Sequence, residues 1–387
     1  MPRQIKFGVV MPPVFPPRMQ VGLAQAFEWM GFDQIWFPDH LTFPDFMPAP
    51  DPWSIITACA VKTRRIEFGT AVSDPHRMHP AAFAQRLATV DTLSRGRIIL
   101  GLGSGESMNL DPFGIPWDRR LKRLQEAFYV IRGLLDADEP FTWHGDFFHI
   151  EHARLSVHPY RRRHLPIYLA ALGPKAQQFA GRHADGWIPT SIPPPYYADY
   201  FTPVASAARD AGRNPGEIRR CAMMTLALAS DTKPVLDLLA DHAQGLIWPP
   251  VAEKMGLKLE LPEEDGGAHY AAVNPHDPAS LQRFEARQKA IPPHVLEKFV
   301  YIGDVKRMRR AIGDFIDAGA DTFHLTNASL DPTAFLKLAT DVLPYFRRRR
   351  APVTVQVASA GAKLVRAAGL APDADPRKAM DWLKKQQ

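Results

Sequence analysis

Short apolar runs alternate with longer amphipathic stretches along most of the chain. The runs predict strands at Ile5–Met11, Gln34–Pro38, Ile66–Ser73, Arg97–Gly103, Ile167–Leu172, Gly186–Thr190, Cys221–Ala229 and Thr322–Thr326. The stretches between and after them predict helices at Val21–Met30, Trp53–Val61, Ala81–Leu93, Arg119–Leu135, Lys175–His183, Tyr197–Ala211, Val305–Ala318 and Thr333–Val342. Several strands are continuously apolar, as strands buried on both faces are. Strands alternating with helices imply parallel βαβ units. Eight such units favour a closed α/β TIM (β/α)8 barrel, with an open doubly wound sheet as the alternative.

Two interruptions break this rhythm. The first, 136–166, contains Phe141-Thr142-Trp143-His144-Gly145-Asp146-Phe147-Phe148 and reads as a hairpin around His-Gly-Asp. The second runs from about Ser230 to Ile302, after the seventh strand. Insertions at that end of a barrel strand lie over the active face, and long ones form lids or binding walls. The expected organisation is one barrel domain over 1–346 with an insertion at about 230–302. A peripheral tail over 347–387 is expected to serve oligomer contacts, and a homodimer is the expected assembly.

Composition narrows the class. Of 387 residues 46% are hydrophobic, enough for a large core, and only Cys59 and Cys221 are cysteines. A disulfide framework is thereby excluded, and a reducing cytoplasm is the expected compartment. No apolar run reaches the ~20 residues of a membrane span, and Met1 to Phe7 does not read as a signal peptide. The net charge of +6 raises nucleic-acid binding. However, the basic clusters Arg161–Arg163, Arg309-Arg310 and Arg347–Arg350 lack the interleaved aromatics of a strand binder, so no nucleic acid is expected. A positive protein also suits an anionic ligand in a cleft.

A barrel does its chemistry at the C-terminal ends of its strands. There the sequence places Asp39-His40, then Ser104-Gly105-Glu106 after Gly101-Leu102-Gly103, then Leu172-Gly173-Pro174 and Thr190-Ser191. His40 can act as a general acid or base near neutrality; its alternative is a structural histidine bonded to a carbonyl. The glycines beside Glu106 allow close backbone approach to a ligand. Their spacing is not the dinucleotide fingerprint, since no helix opens directly after them. Gly173-Pro174 puts a tight turn at a helix N-terminus, a plausible phosphate site, although such turns also hold glycine for packing alone. His76–His79 and His149–His152 have metal-like spacings, but neither belongs to a ligand set, so no metal is expected. Trp36, in the middle of the second strand, reads as core.

Taken together, Asp39-His40, Gly69-Thr70-Ala71-Val72, Gly101-Leu102-Gly103-Ser104-Gly105-Glu106, Ala170-Ala171-Leu172-Gly173-Pro174 and Ala180–Trp187 resemble the luciferase-like family over roughly Ile5 to Phe346. Ser104-Gly105-Glu106 and Ala170–Pro174 are similar to its coenzyme F420 branch. Asn109–Trp117, Ser206–Pro215 and Asn327–Leu330 most resemble the phthiodiolone ketoreductases. The resemblance implies hydride exchange between a deazaflavin C5 and a carbonyl or alcohol carbon. FMN-dependent monooxygenase chemistry is the first alternative, and a barrel that only binds cofactor is the second. It implies proton handling by His40 and Glu106. It implies cofactor contacts at Asp39, Ala71, Val72, Ser104, Gly105, Glu106, Ala171, Leu172, Gly173 and Thr190, and a cis peptide between Ala71 and Val72. Pro44, Ile192 and Pro193 depart from the phosphosugar members. With the Pro193–Tyr197 run they point to a small-molecule or lipid-like, bulky apolar substrate.

Overall fold

The computed structural model describes residues 4–43, 47–162, 164–240, 247, 249–257, 273–329, 331 and 333–347. Its strands are β1 (Lys6–Val10), β2 (Gln34–Phe37), β3 (Glu67–Thr70), β4 (Ile98–Leu102), β5 (Phe141–His144), β6 (His149–Ala153), β7 (Ile167–Ala170), β8 (Gly186–Ile188), β9 (Arg219–Leu228), β10 (Val300–Gly303) and β11 (Thr322–Asn327). Parallel pairing runs β9–β11–β1–β2–β3–β4–β7–β8 and closes from β8 back onto β9. This is the expected eight-stranded TIM barrel with surrounding helices. The hairpin forms as expected, with β5 antiparallel to β6.

Proline sets where the helices begin. Helices α1 (Pro17–Met30), α2 (Pro52–Lys62), α3 (Pro80–Ser94), α5 (Pro174–His183) and α6 (Pro194–Asp210) all start on a proline. The first helical position needs no N–H donor, and proline arrives there with its φ already helical. That is why α1 starts four residues before the expected Val21. It is also why the Pro193–Tyr197 run, expected as a substrate wall, opens α6 instead. Tyr197 is buried in the core, its hydroxyl donating to the Cys221 carbonyl at 2.8 Å. Helix α4 (Arg120–Asp136) carries Glu126 inward, where it accepts from the amides of Asp146, Phe147 and Phe148 and so holds the hairpin turn.

The barrel interior is filled. Trp36, Ile99, Tyr168, Ile188 and Cys221 pack there, and the His324 ring stacks on Trp36 at 3.9 Å. A Cβ on Gly69 would lie 2.3 Å from the Trp36 ring, so only glycine leaves room for that indole. Below it, Trp36 Nε1 donates to Gln34, and Gln34 donates to Glu67. A ligand must therefore sit on the rim rather than inside.

The 230–302 segment is more regular than a loop. It contains helices Lys233–Ala240, Pro249–Lys254, Pro278–Ala290 and Pro293–Leu296. It ends in β10, a strand the sequence reading missed, paired in parallel with the outer half of β9 from Thr225 to Leu228. Ile291, in this segment, is buried in the main core. Trp248, Pro44 and the tail beyond Arg347 lie outside the described residues. At the base of the barrel, Arg347 pairs with Asp33 at 2.7 Å. Among the described residues no helix is long and apolar enough to cross a membrane.

Candidate active site

The loop after β2 and the loop after β4 meet at the C-terminal rim. The first carries Asp39 and His40. The second leaves β4 through Gly105, whose φ of +76° favours glycine, and then turns through a 3-10 helix at Ser107–Asn109. That turn folds Asn109 back over Glu106. The Asn109 amide nitrogen lies 2.9 Å from His40 Nδ1 and 3.0 Å from Glu106 Oε2. Its oxygen accepts from the Leu41 and Thr42 amides at 2.6 and 3.0 Å. Two N–H donors on that oxygen fix the orientation of the amide, so the nitrogen side faces His40.

This orientation determines the neutral histidine tautomer. His40 Nδ1 accepts from Asn109, so Nε2 carries the proton. Glu106 Oε2 lies 3.3 Å from Nδ1 and is placed to accept an Nδ1–H once the ring is protonated. His40 is also stacked on Phe43 at 4.4 Å. Met11, Phe37, Phe43 and Ile55 line a narrow apolar hollow beside it. The sequence reading paired His40 with Glu106 but missed Asn109. The only available signal was its place three residues after Glu106, which becomes meaningful once a tight turn is known.

Asp39 is buried and its carboxylate is engaged. Arg77 pairs with it at 2.8 Å and with Asp74 at 2.6 Å, and the Ser73 hydroxyl donates to it. Trp53 Nε1 donates to Ser73 in turn, at 3.2 Å. Asp39 therefore locks the His40 loop to the segment after β3. Ala71 and Val72 border the barrel-interior cluster, and the peptide between them is cis, as the resemblance implied. His76, one of the metal-spaced histidines, bridges the carbonyls of Ser104 and Pro116 at 3.1 Å each. Burial pushes its pKa down, outweighing Asp74. His149 and His152 lie on β6 with Glu151, which pairs with His144. Among the described residues no three such side chains gather around a metal site.

The remaining expected contacts follow the C-terminal ends of β4, β7 and β8. Ser104 and Gly105 leave β4; Ala171 and Leu172 leave β7. Gly173 has open space where a Cβ would stand and begins α5 with no side-chain cap. Thr190, two residues beyond β8, buries a hydroxyl oxygen with no partner among the described residues. An uncapped helix start and an orphaned buried hydroxyl are features a phosphate-bearing cofactor would satisfy.

Fold and rim thus define a (β/α)8 protein with a hydrogen-bonded His–Asn–Glu cluster at the C-terminal ends of its strands. The family described as luciferase-like monooxygenase matches residues 5–322, and the chain belongs to that family. A phthiodiolone/phenolphthiodiolone dimycocerosates ketoreductase of Mycobacterium tuberculosis (strain ATCC 25618 / H37Rv) is 29% identical over 372 residues, covering 88% of this chain and 97% of its own. A 5,10-methylenetetrahydromethanopterin reductase of Methanolobus tindarius is 32% identical over 225 residues, 58% of this chain and 66% of its own. Among solved structures, an F420-dependent secondary alcohol dehydrogenase in complex with an F420-acetone adduct superposes with a TM-score of 0.76 at 23% identity, covering 89% of this chain and 100% of that one. These relatives are oxidoreductases.

Proposed function

We propose that the protein is a coenzyme F420-dependent oxidoreductase acting on the carbonyl or alcohol carbon of a bulky, apolar substrate. The observation that carries this reading is the His40–Asn109–Glu106 cluster at the C-terminal rim, on the same rim as the uncapped start of α5 at Gly173. When bound, the deazaflavin would supply or accept a hydride at C5. Ser104, Gly105, Ala171, Leu172, Gly173 and Thr190 would hold it, with Ala71 and Val72 beneath. We assign Asp39 to holding the His40 loop.

Reduction of a ketone requires a proton at the substrate oxygen, and oxidation of the alcohol requires its removal. His40 Nε2–H would be the donor. Giving that proton away leaves a neutral ring only if Nδ1 is also protonated, and Glu106 Oε2 stabilises that charged state. A bulky, apolar substrate is supported by the similarity to a phthiodiolone/phenolphthiodiolone dimycocerosates ketoreductase. The parts of the 230–302 segment that reach the rim would set substrate preference, and the active form would be a homodimer of 1–346 barrel domains.

Titration of the purified protein by fluorescence quenching tests the cofactor. Tight binding of F420 and much weaker binding of FMN are expected. Preferential FMN binding would instead support the flavin monooxygenase chemistry that the family description carries, and binding of neither would remove both readings.

A further inference from the structure

A short segment after β3 touches both of the loops that carry His40 and Glu106. It begins at Ser73, whose amide donates to the Gly101 carbonyl at 2.9 Å and whose carbonyl accepts from the Gly103 amide at 2.8 Å. These bonds extend the parallel pairing of β3 with β4, so the segment leaves from fixed backbone. Asp74 then accepts from the amides of His76 and Arg77, at 2.8 and 3.2 Å, and closes the segment into a turn.

From that turn Arg77 reaches the loop after β2. Its guanidinium spans two buried carboxylates, with Nε donating to Asp74 at 2.6 Å and Nη2 pairing with Asp39 at 2.8 Å. Nη2 also donates to the Asp39 backbone carbonyl at 3.1 Å, in the peptide that joins Asp39 to His40. His76 reaches the loop after β4. Its ring lies between the Ser104 and Pro116 carbonyls, 3.1 Å from each, and a Cβ on Gly105 would stand 3.1 Å from it. Ser104 and Gly105 lead directly into Glu106. Neutralising Asp39 and Asp74 requires only positive charge. Meeting three acceptors on two segments requires the planar fork of a guanidinium, whose donors have fixed directions.

We propose that Arg77 is a positioning residue: together with His76 it braces the loop after β2 against the loop after β4, and so sets the reach between His40 and Glu106. Where turnover is concerned, the inference rests on the reading of His40 as the proton donor; the placement of the ring does not depend on that reading. The separation to be held is 3.3 Å, from His40 Nδ1 to Glu106 Oε2. Misplacing a catalytic group by about 1 Å can cost roughly a hundredfold in rate.

The test uses the full chain, isotope-labelled in its histidine rings, as wild type and as the variants Arg77→Lys and His76→Phe. Ring-nitrogen chemical shifts report which nitrogen carries the proton, and the His40 signals are assigned by their loss in His40→Ala. Spectra are taken about two pH units above the ordinary histidine pKa of about 6.5, where an unperturbed ring is neutral, and below the melting temperature of each variant. Wild type should show His40 in the Nε2–H form, as its bond from Asn109 requires. Arg77→Lys keeps the charge and loses the fork, so the two neutral forms should mix. His76→Phe should mix them from the other loop. With F420 and cyclohexanol, a secondary alcohol, kcat should fall about tenfold to a hundredfold in both variants. A His40 that stays wholly in the Nε2–H form in Arg77→Lys, or that is already mixed in wild type, overturns the proposal. Should Arg77→Lys not fold, His76→Phe decides in the same way. If the wild type does not turn over the alcohol, the ring shifts still decide the brace, and the failure belongs to the proposed activity.

Discussion

At the residue scale, Asn109 organises the candidate site. All of its hydrogen-bonding capacity is used: two amide hydrogens on His40 and Glu106, two lone pairs on the Leu41 and Thr42 amides. His40→Ala should lower kcat by about two to four orders of magnitude, since a positioned general acid or base contributes that much. Glu106→Gln keeps the geometry but withdraws the carboxylate 3.3 Å from His40 Nδ1, so kcat should fall, though less than in His40→Ala. Asn109→Leu strands the two loop amides and frees the tautomer, so kcat and thermal stability should fall together. Wild-type rates in all three variants on a good substrate would move the proton chemistry elsewhere. His324 makes a separate prediction. Both of its ring nitrogens are buried without partners among the described residues, and burial pushes its pKa down to about 3. Its folded pKa lies below the unfolded value of about 6.5, so the stability of the neutral, buried ring is complete above that pH and is lost as pH falls towards 3. Between pH 7.5 and 5 the loss from this group should be about 2 kcal/mol. Urea midpoints should therefore depend less on pH in His324→Phe than in wild type; equal dependence would contradict the assignment.

At the scale of elements, the hairpin depends on a carboxylate from a helix. Burial raises the Glu126 pKa, but bonds from the Phe147, Asp146 and Phe148 amides outweigh it, so the net shift is downward. The stabilisation is therefore present above the ordinary glutamate range and is lost as pH falls through the depressed value. Glu126→Ala leaves three amides unpaired and should cost about 2–4 kcal/mol, with Glu126→Gln costing less. Amide exchange at Asp146–Phe148 should accelerate more than exchange in the barrel strands; uniform acceleration would mean that the turn does not depend on this residue. The hairpin itself was legible from Phe141 to Phe148, because a glycine turn flanked by aromatics is a local signal. Glu126 as its anchor was not, because the two are twenty residues apart and join only when α4 packs.

At the scale of the whole molecule, the 230–302 segment joins the barrel rim by two kinds of contact. β10 adds to β9, and His276 sits edge-on to Phe113, in the loop after β4, at 6.0 Å. Shortening the segment while retaining Val300–Gly303 should lower kcat/KM and leave cofactor affinity little changed. Loss of cofactor binding before turnover would make the segment a clamp instead. The eight-fold repeat was readable along the chain because each βα unit buries one apolar strand and one helix face, and both patterns are local. Proline at the helix starts displaced boundaries by a few residues without changing the order. β10 escaped notice because Val300–Gly303 is four residues long and acquires meaning only beside β9.

The sequence by itself determined the barrel, the order of its units, and His40 and Glu106 as rim residues, because hydrophobic periodicity and strand ends are properties of consecutive residues. Tertiary structure alone decided that Asn109 bridges those two side chains and that Asp39 is held by Arg77 and Ser73. It also decided that Tyr197 and Ile291 face the core, and that cations of α4 and α5 line one cleft. In each of these cases the deciding partners are far apart in the chain. Hydrogen bonds and charge pairs depend on distances of a few ångströms, which only the closed barrel sets.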